Sequence, residues 1–224
     1  MPRDTGPGDP FAIRVRLVRV EEQRKAPMQA SEQLHPPTHA PLPDVLTERL
    51  QLRRFQREDL DALAAVFIKP EIWMFPYGRG FTRDETAAFL EAQLAEWRDY
   101  GFGCWLAIER ASERMVGYVG ISIPTFLPEI LPAVEVGWRF DPDVWGRGYA
   151  SEGARAALKE AFTTLGLETV CSIPQAVNPK SSAVCDRIGM KFQREVTIPA
   201  NERRGELVGM LYELTQDEWS ASLD

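Results

Sequence analysis

The chain has 224 residues, of which 44% are hydrophobic and 26% charged, with a formal net charge of −7. Such a composition is typical of a globular protein with one domain or slightly more, large enough to bury an apolar core. The acidic balance argues against nucleic-acid binding, and no apolar run is long enough to span a membrane. Three widely spaced cysteines show neither metal-ligand spacing nor a disulfide framework, so we expect a cytoplasmic protein without a metal.

Residues 1–43 differ from the rest because prolines interrupt them throughout, which prevents regular helix and sheet. We predict a disordered N-terminal extension here. The alternating segment Phe11–Val20 fits either an edge strand or a chance pattern in a tail, and Met28 is an alternative natural start. Both histidines, His35 and His39, fall in this extension, so a histidine base in the folded core is excluded.

From residue 44 onward, hydrophobic periodicity and capping signals become regular. The predicted elements, in chain order, are a strand at Leu50–Phe55, a helix from Arg57 to Ile68, a helix that starts at Thr82 and stops at Gly101, a hairpin of Cys104–Ile108 and Met115–Ile121, a strand at Val134–Phe140, a helix at Ser151–Leu165, a strand at Glu168–Ile173, a helix at Ser181–Ile188, and a final strand pair at Glu195–Ile198 and Leu207–Leu214. This order predicts one domain over residues 44–224, of class α/β (α+β), with helices on the faces of a mixed sheet.

A glycine-bearing loop, Trp145-Gly-Arg-Gly-Tyr-Ala-Ser151, joins the predicted strand to the following long helix. Glycines allow the backbone to turn and approach a ligand, and the N-terminus of a helix favours phosphate groups. Alone, Gly-x-Gly is also compatible with a plain turn. The loop lacks the Gly-Lys-Ser/Thr of nucleotide hydrolases, and Ser151 occupies the place of the third glycine in a dinucleotide fingerprint.

The segment Phe140–Glu152 resembles the acetyl-CoA-binding motif of the GNAT family of N-acetyltransferases, and in particular its ribosomal-protein alanine acetyltransferase branch. Leu46–Arg54, Phe162–Glu168, Asn178–Ser181 and Asp186–Phe192 are similar to further segments of that branch, so the likeness covers about residues 44–219. It implies a largely antiparallel central sheet with a splayed strand pair, and acetyl-CoA as co-substrate. It also implies a primary amine as acceptor, on a protein N-terminus or a small molecule, and dimers are common in similar proteins.

By the same resemblance, the cofactor-binding residues form three groups. They are Trp138, Arg139 and Phe140 against the pantetheine arm, the loop residues Val144, Trp145, Gly146, Arg147, Gly148, Tyr149 and Ala150 against the diphosphate, and Asn178 and Ser181 from the far side. Asp143 stands where similar proteins often have Gln or Arg, and its charge would oppose binding if it faced the phosphates. Pro174 fits a strand edge that borders the cofactor gap, or a strand that ends at Ile173.

Glu135 is the candidate general base, because it is the only acid in an otherwise apolar strand, where burial should raise its pKa toward neutrality. Its position also matches an acid implicated in the family. The alternative is a structural pair with Arg139. Cys185 and Ser181 are candidates for the acid that protonates the leaving thiolate; packing for Cys185 and helix capping for Ser181 are the alternatives.

Aromatic residues point to an acceptor pocket formed by Trp73, Phe75, Tyr77 and Trp105 with the loop over residues 123–132. Each of them also fits a core position. Arg79 and Arg83 could pair with a substrate carboxylate or remain solvated. Two other functions stay open: a non-catalytic acyl-CoA-binding module, which a dispensable Glu135 would favour, and a nucleotide-binding regulator.

Overall fold

The computed structural model describes residues 40–223. Its elements are β1 Val45–Leu46, β2 Leu50–Arg53, α1 Leu60–Phe67, α2 Met74–Tyr77, α3 Arg83–Tyr100, β3 Cys104–Glu109, β4 Arg114–Ser122, β5 Glu135–Phe140, α4 Tyr149–Thr163, β6 Thr169–Ser172, α5 Pro179–Arg187, β7 Lys191–Ile198, β8 Leu207–Thr215 and α6 Gln216–Ala221. The predictions for Phe11–Val20, Met28 and the two histidines lie outside the described residues. Leu42, which the sequence places in the extension, is fully buried and donates its N–H to Gly101 O.

Eight strands form one sheet in the order β1-β2-β3-β4-β5-β6-β8-β7. Every neighbouring pair is antiparallel except β5 and β6, which run parallel. The predicted mixed, largely antiparallel sheet is therefore confirmed. The short β1, α2 and α6 were not predicted, since elements of two to six residues carry too little periodicity.

Side-chain alternation along β3 divides the core into two layers, because successive strand residues face opposite sides of a sheet. Trp105 and Ala107 belong to the cluster that contains Ala154, Leu158 and other residues of α4. Cys104 and Leu106 belong to the cluster built with α1 and α3. Helices thus cover both faces, as predicted, and we call these the α4 face and the α3 face.

Local signals explain where the two longest helices begin and end. Thr82 accepts the N–H of Glu85 while the Glu85 carboxylate accepts the N–H of Thr82, so the predicted capping box starts α3. Gly101 ends it with a φ of 71°, a left-handed conformation that favours glycine. The long helix α4 begins at Tyr149, two residues before the prediction, since Gly148 with a φ of 84° is its N-cap.

Within residues 40–223, no helix combines the length and the apolar character needed to cross a bilayer.

Candidate active site

Strands β5 and β6 pair only at the first residue of β5, where Glu135 lies beside Cys171 near the end of β6, and then separate. The Cys171 N–H donates to Val134 O at 2.9 Å. In a continued parallel ladder, the Ile173 N–H would donate to Val136 O. The Ile173 N–H donates instead to the Glu135 carboxylate at 3.3 Å, so the hydrogen-bonded ladder between β5 and β6 ends at that residue.

The separation of the strands leaves the backbone of β5 available on its β6 side. Asp141 N–H donates to Val116 O across the β4–β5 pair, which sets the alternation of hydrogen bonds along β5. By this alternation the main-chain groups of Trp138 point away from β4, toward the gap. A cleft of about 1950 Å³ occupies the gap and reaches both Glu135 and the glycine loop.

The glycine loop presents free main-chain donors to this cleft. Gly146 and Gly148 have φ values of 78° and 84°, and among the described residues no hydrogen bond involves their N–H groups. The first three N–H groups of α4, at Tyr149, Ala150 and Ser151, are likewise unpaired, as expected of a helix N-terminus. The amides predicted at Val144, Trp145 and Arg147 are different, because they donate to Asp141 O, Pro142 O and Val144 O.

Two further observations fit a diphosphate at this loop. The Ser151 hydroxyl is buried, borders the cleft and has no hydrogen-bond partner among the described residues. A Cβ added at Gly146 would meet nothing within 4 Å, so open space lies above this residue. A multiply charged anion would satisfy the hydroxyl and the free amides together.

Arg49, in the turn before β2, fixes the loop from outside. Its guanidinium donates to Arg147 O at 2.8 Å and forms an ion pair with Glu152 at 2.6 Å. Glu152 also accepts hydrogen bonds from Thr47 Oγ1 and from the Arg49 N–H. The glycine loop and the start of α4 are therefore held in place by a side chain that sequence reasoning did not single out.

The acidic side chains next to the glycine loop are neutralised by a basic partner, so their charges do not oppose an anion bound there. Lys69 Nζ lies 2.8 Å from Asp143 and 2.7 Å from Asp141, and Asp143 does not border the cleft. Arg147 turns toward Glu109, at 3.4 Å, and is the one predicted cofactor residue among the described ones that does not border the cleft. The Trp145 indole donates to Phe140 O, and Lys180 Nζ lies 4.9 Å from its ring centre.

Glu135 lies on the α3 face beside the point where the strands part. Burial raises its pKa to about 7, although the Ile173 N–H stabilises the charged form. A pKa raised toward neutrality suits a general base that works near that pH. Arg139 is engaged elsewhere, with Ile72 O at 2.5 Å, Phe75 O at 2.8 Å and Tyr118 Oη at 3.2 Å. The predicted alternative of a Glu135–Arg139 pair is not present among the described residues.

A second carboxylate, Glu96 of α3, lies near Glu135 and was missed by sequence reasoning. Burial raises the pKa of Glu96 to about 7, and its charge contributes to the raised pKa of Glu135. Its Oε1 accepts the Ile123 N–H at 3.2 Å, one residue after Ser122, which pairs with Glu135. The signal was a polar stripe, Gln93 and Glu96, on the helix face that also carries Phe89.

The start of α5 borders the cleft from the β6 side. Asn178 is the N-cap, and its Oδ1 accepts the Ser181 N–H at 3.3 Å, so the alternative named for Ser181, helix capping by its side chain, is not what the structure shows. Ser181 and Asn178 both border the cleft. Cys185 is completely buried and does not, and burial raises the pKa of its thiol to about 12. Packing, the alternative named above, is therefore its role in the structure.

Trp73, Phe75 and Tyr77 border the cleft on the α3 face, as does Phe126 of the loop over residues 123–132. The prediction for Trp105 is wrong. Its side chain is fully buried on the α4 face, contacts Trp97 and donates its indole N–H to Pro43 O. The alternation of β3 turns Cys104 toward the cleft in its place.

The predicted arginines do not reach the cleft. Arg79 pairs with Glu85 at 2.6 Å and Arg83 with Asp61 at 2.5 Å. Arg204, in the β7–β8 hairpin, borders the cleft and has no ion pair among the described residues. Its neighbour Arg203 lies 5.1 Å from the ring centres of Tyr77 and Phe81, so this hairpin packs against the segment that carries these aromatic residues.

Within residues 40–223, no cluster of three or more His, Cys, Asp or Glu side chains is placed to hold a metal ion.

Comparison with known proteins agrees with this geometry. Residues 49–191 match the model of the acetyltransferase (GNAT) domain. FsC-acetyl coenzyme A-N(2)-transacetylase of Aspergillus fumigatus is 32% identical over 193 residues, which cover 79% of this chain and 78% of that protein. The crystal structure of an acetyltransferase from Agrobacterium tumefaciens superposes with a TM-score of 0.63 at 28% identity, covering 80% of this chain and 97% of the other.

RimL, a ribosomal L7/L12 α-N-protein acetyltransferase solved with coenzyme A, shares the fold with a TM-score of 0.61 at 16% identity, covering 78% of this chain and 98% of that one. The family-model match spans more than half of the chain, and the Aspergillus relative supports it along most of both sequences. The chain therefore belongs to the GNAT family and is an acetyl-CoA-dependent N-acetyltransferase.

Proposed function

We propose that this protein acetylates a primary amine directly, with acetyl-CoA held between β5 and β6 and Glu135 as general base. The main support for this proposal is a group of unpaired main-chain N–H donors at Gly146, Gly148 and the start of α4. They lie at one end of a cleft that reaches Glu135. The free amides and the Ser151 hydroxyl would bind the diphosphate. The exposed backbone of Trp138 would pair with the pantetheine arm.

Residues of the chain supply orientation and proton transfer. Acetyl-CoA supplies the thioester, whose C–S bond breaks as the C–N bond to the acceptor forms. Glu135 takes the proton that the acceptor ammonium must lose before it can attack, and its raised pKa suits that role near neutrality. Ser181, which borders the cleft, would donate a hydrogen bond to the departing thiolate. Holding both reactants in one cleft supplies much of the rate.

The acceptor within this class is an amine on a small molecule or a protein N-terminus. The Aspergillus relative is named for transfer to an N(2) amine, and RimL for an α-amine of a ribosomal protein. Both names support a primary amine.

A thermal-shift titration tests the cofactor part of this proposal. Acetyl-CoA at one hundred times its Kd should add about 2.7 kcal/mol, or roughly 5–10 °C in Tm for a domain of this size, whereas ATP should add much less. Thiol release with a panel of amines then tests transfer. An unchanged Tm with acetyl-CoA contradicts the proposed binding site.

A further inference from the structure

Two buried polar atoms on the α3 face have no hydrogen-bond partner among the described residues: Trp73 Nε1 and Gln93 Oε1. Both residues border the cleft, and the Trp73 side chain is only 5% exposed. Native proteins leave few buried polar groups unpaired, so each such group needs an explanation. Here one atom is a donor and the other an acceptor, which are the two kinds of partner that an amide group needs.

Trp73 cannot turn to find another partner. Its ring stacks on Phe81 with centroids 3.8 Å apart and planes 5° from parallel. The Arg139 guanidinium lies 4.0 Å from the ring centre, and the carbonyls of Ile72 and Phe75 hold that guanidinium in place. The unpaired N–H is therefore a fixed feature of the cleft wall.

The cleft surface below Trp73 is the α3 face of β5, which also carries the proposed base, Glu135. Glu135, Gly137 and Arg139 are alternate residues of β5 and share the α3 face. A Cβ added at Gly137 would meet nothing within 4 Å, so the middle of this surface is open. Four strand residues separate the Cα atoms of Glu135 and Arg139 by about 13 Å, and the Arg139 guanidinium lies 4.0 Å from the Trp73 ring centre.

Phe89 and Gln93 of α3 also line the cleft, and Glu96 continues the same helix stripe without bordering it. Phe89 contacts Trp73, with ring centroids 6.0 Å apart. Glu96 contacts the backbone of Ile123, beside the residue that pairs with Glu135. Gln93 therefore lies between the Glu135 end and the Trp73 end of an aromatic pocket.

We propose that Trp73 and Gln93 select the acetyl acceptor: a primary amine with an apolar, extended body that carries a neutral amide group distant from the amine. The amide carbonyl would accept from Trp73 Nε1, and the amide N–H would donate to Gln93 Oε1, while the amine lies at Glu135. This inference rests on the proposed function. A polyamine is a poor match, because its protonated nitrogens are all donors and leave Trp73 unsatisfied.

Steady-state kinetics with matched amines tests the proposal. One pair is para-(aminomethyl)benzamide against benzylamine, and a flexible pair is ε-aminocaproamide against hexylamine; spermidine is a further comparison. For at least one pair, kcat/KM should favour the amide roughly 10- to 100-fold, since the analogue leaves buried groups unpaired. Trp73→Phe and Gln93→Leu should each lower this preference about tenfold or more, with the KM for acetyl-CoA unchanged.

Trp219→Phe, the same substitution outside the cleft, should leave the preference intact. Equal rates within both wild-type pairs, or a preference that survives both variants, would overturn the inference. Acetyl-CoA binding without turnover of any of these amines would also overturn it, while leaving the cofactor site standing. A failure to bind acetyl-CoA would instead remove the proposed function itself.

Discussion

Replacing Glu135 with glutamine should separate the chemistry of this carboxylate from its structural contact. Gln retains an oxygen that can accept the Ile173 N–H, so the closed end of the β5–β6 pair should persist. The general base is lost, and kcat should fall roughly 10²- to 10⁴-fold with little change in the KM for acetyl-CoA. Glu129→Gln, which alters an exposed acid, is the matched control.

The same substitution should stabilise the fold at neutral and higher pH. Burial raises the pKa of Glu135 from 4.5 to about 7, so the folded state binds this proton more tightly than the unfolded chain. Wild-type stability relative to Glu135→Gln should thus decline as pH rises from about 4.5 through about 7. At 1.36 kcal/mol per unit the full difference is about 3 kcal/mol above that range. Glu96 remains in both proteins and its charge contributes to the raised pKa of Glu135, so the difference reports the two coupled carboxylates.

Urea unfolding of the two proteins at several pH values measures the stability term, and kcat/KM across the same range measures the base. Wild-type activity should rise with pH to a plateau, with an apparent pKa near 7 for this group. The reasoning is refuted if Glu135→Gln keeps full turnover, or if its stability advantage does not grow with pH.

Two further substitutions test the loop support and the buried thiol. Arg49→Gln should raise the KM for acetyl-CoA about tenfold with a smaller change in kcat, because the Arg147 carbonyl and Glu152 lose their partner. The control is Arg57→Gln, which breaks an exposed ion pair with Glu91 and should change neither KM nor kcat. Equal effects of the two would contradict the positioning role. Cys185→Ala should lower the free energy of unfolding by roughly 1–2 kcal/mol in a denaturant titration while kcat stays within about twofold. A large fall in kcat for Cys185→Ala would contradict this packing role and support Cys185 as the acid that protonates the leaving thiolate.

The sheet and the cofactor end could be predicted from sequence because their signals are local. Alternation, capping boxes and left-handed glycines each act over a few residues, so α3 and the loop before α4 appear where expected. Family resemblance added the gap between β5 and β6, which pairing at a single residue now shows.

The acceptor end depends on contacts between distant segments, which one-dimensional patterns do not encode. Trp105 and Cys104 are neighbours in sequence, and the strand face decides which of them meets the cleft. Arg139 lies in β5, which we expect to contact the cofactor, yet its guanidinium binds the Ile72 carbonyl and the Trp73 ring in a segment distant in sequence. Glu96 was overlooked since a glutamate in a helix is usually solvated, and only the packing of α3 against the sheet buries it.

The free amides beside Gly146 are most directly tested by calorimetric titration of acetyl-CoA into Gly146→Ala and Gly166→Ala. Both glycines have left-handed φ values, 78° and 67°, and neither has an atom within 4 Å of an added Cβ, so the backbone cost should be similar. Of the two, only Gly146 borders the cleft, so only its new methyl group would be added beside the proposed diphosphate site. We predict at least about tenfold weaker binding for Gly146→Ala and wild-type affinity for Gly166→Ala. Equal affinity of the two variants would contradict diphosphate binding by this loop.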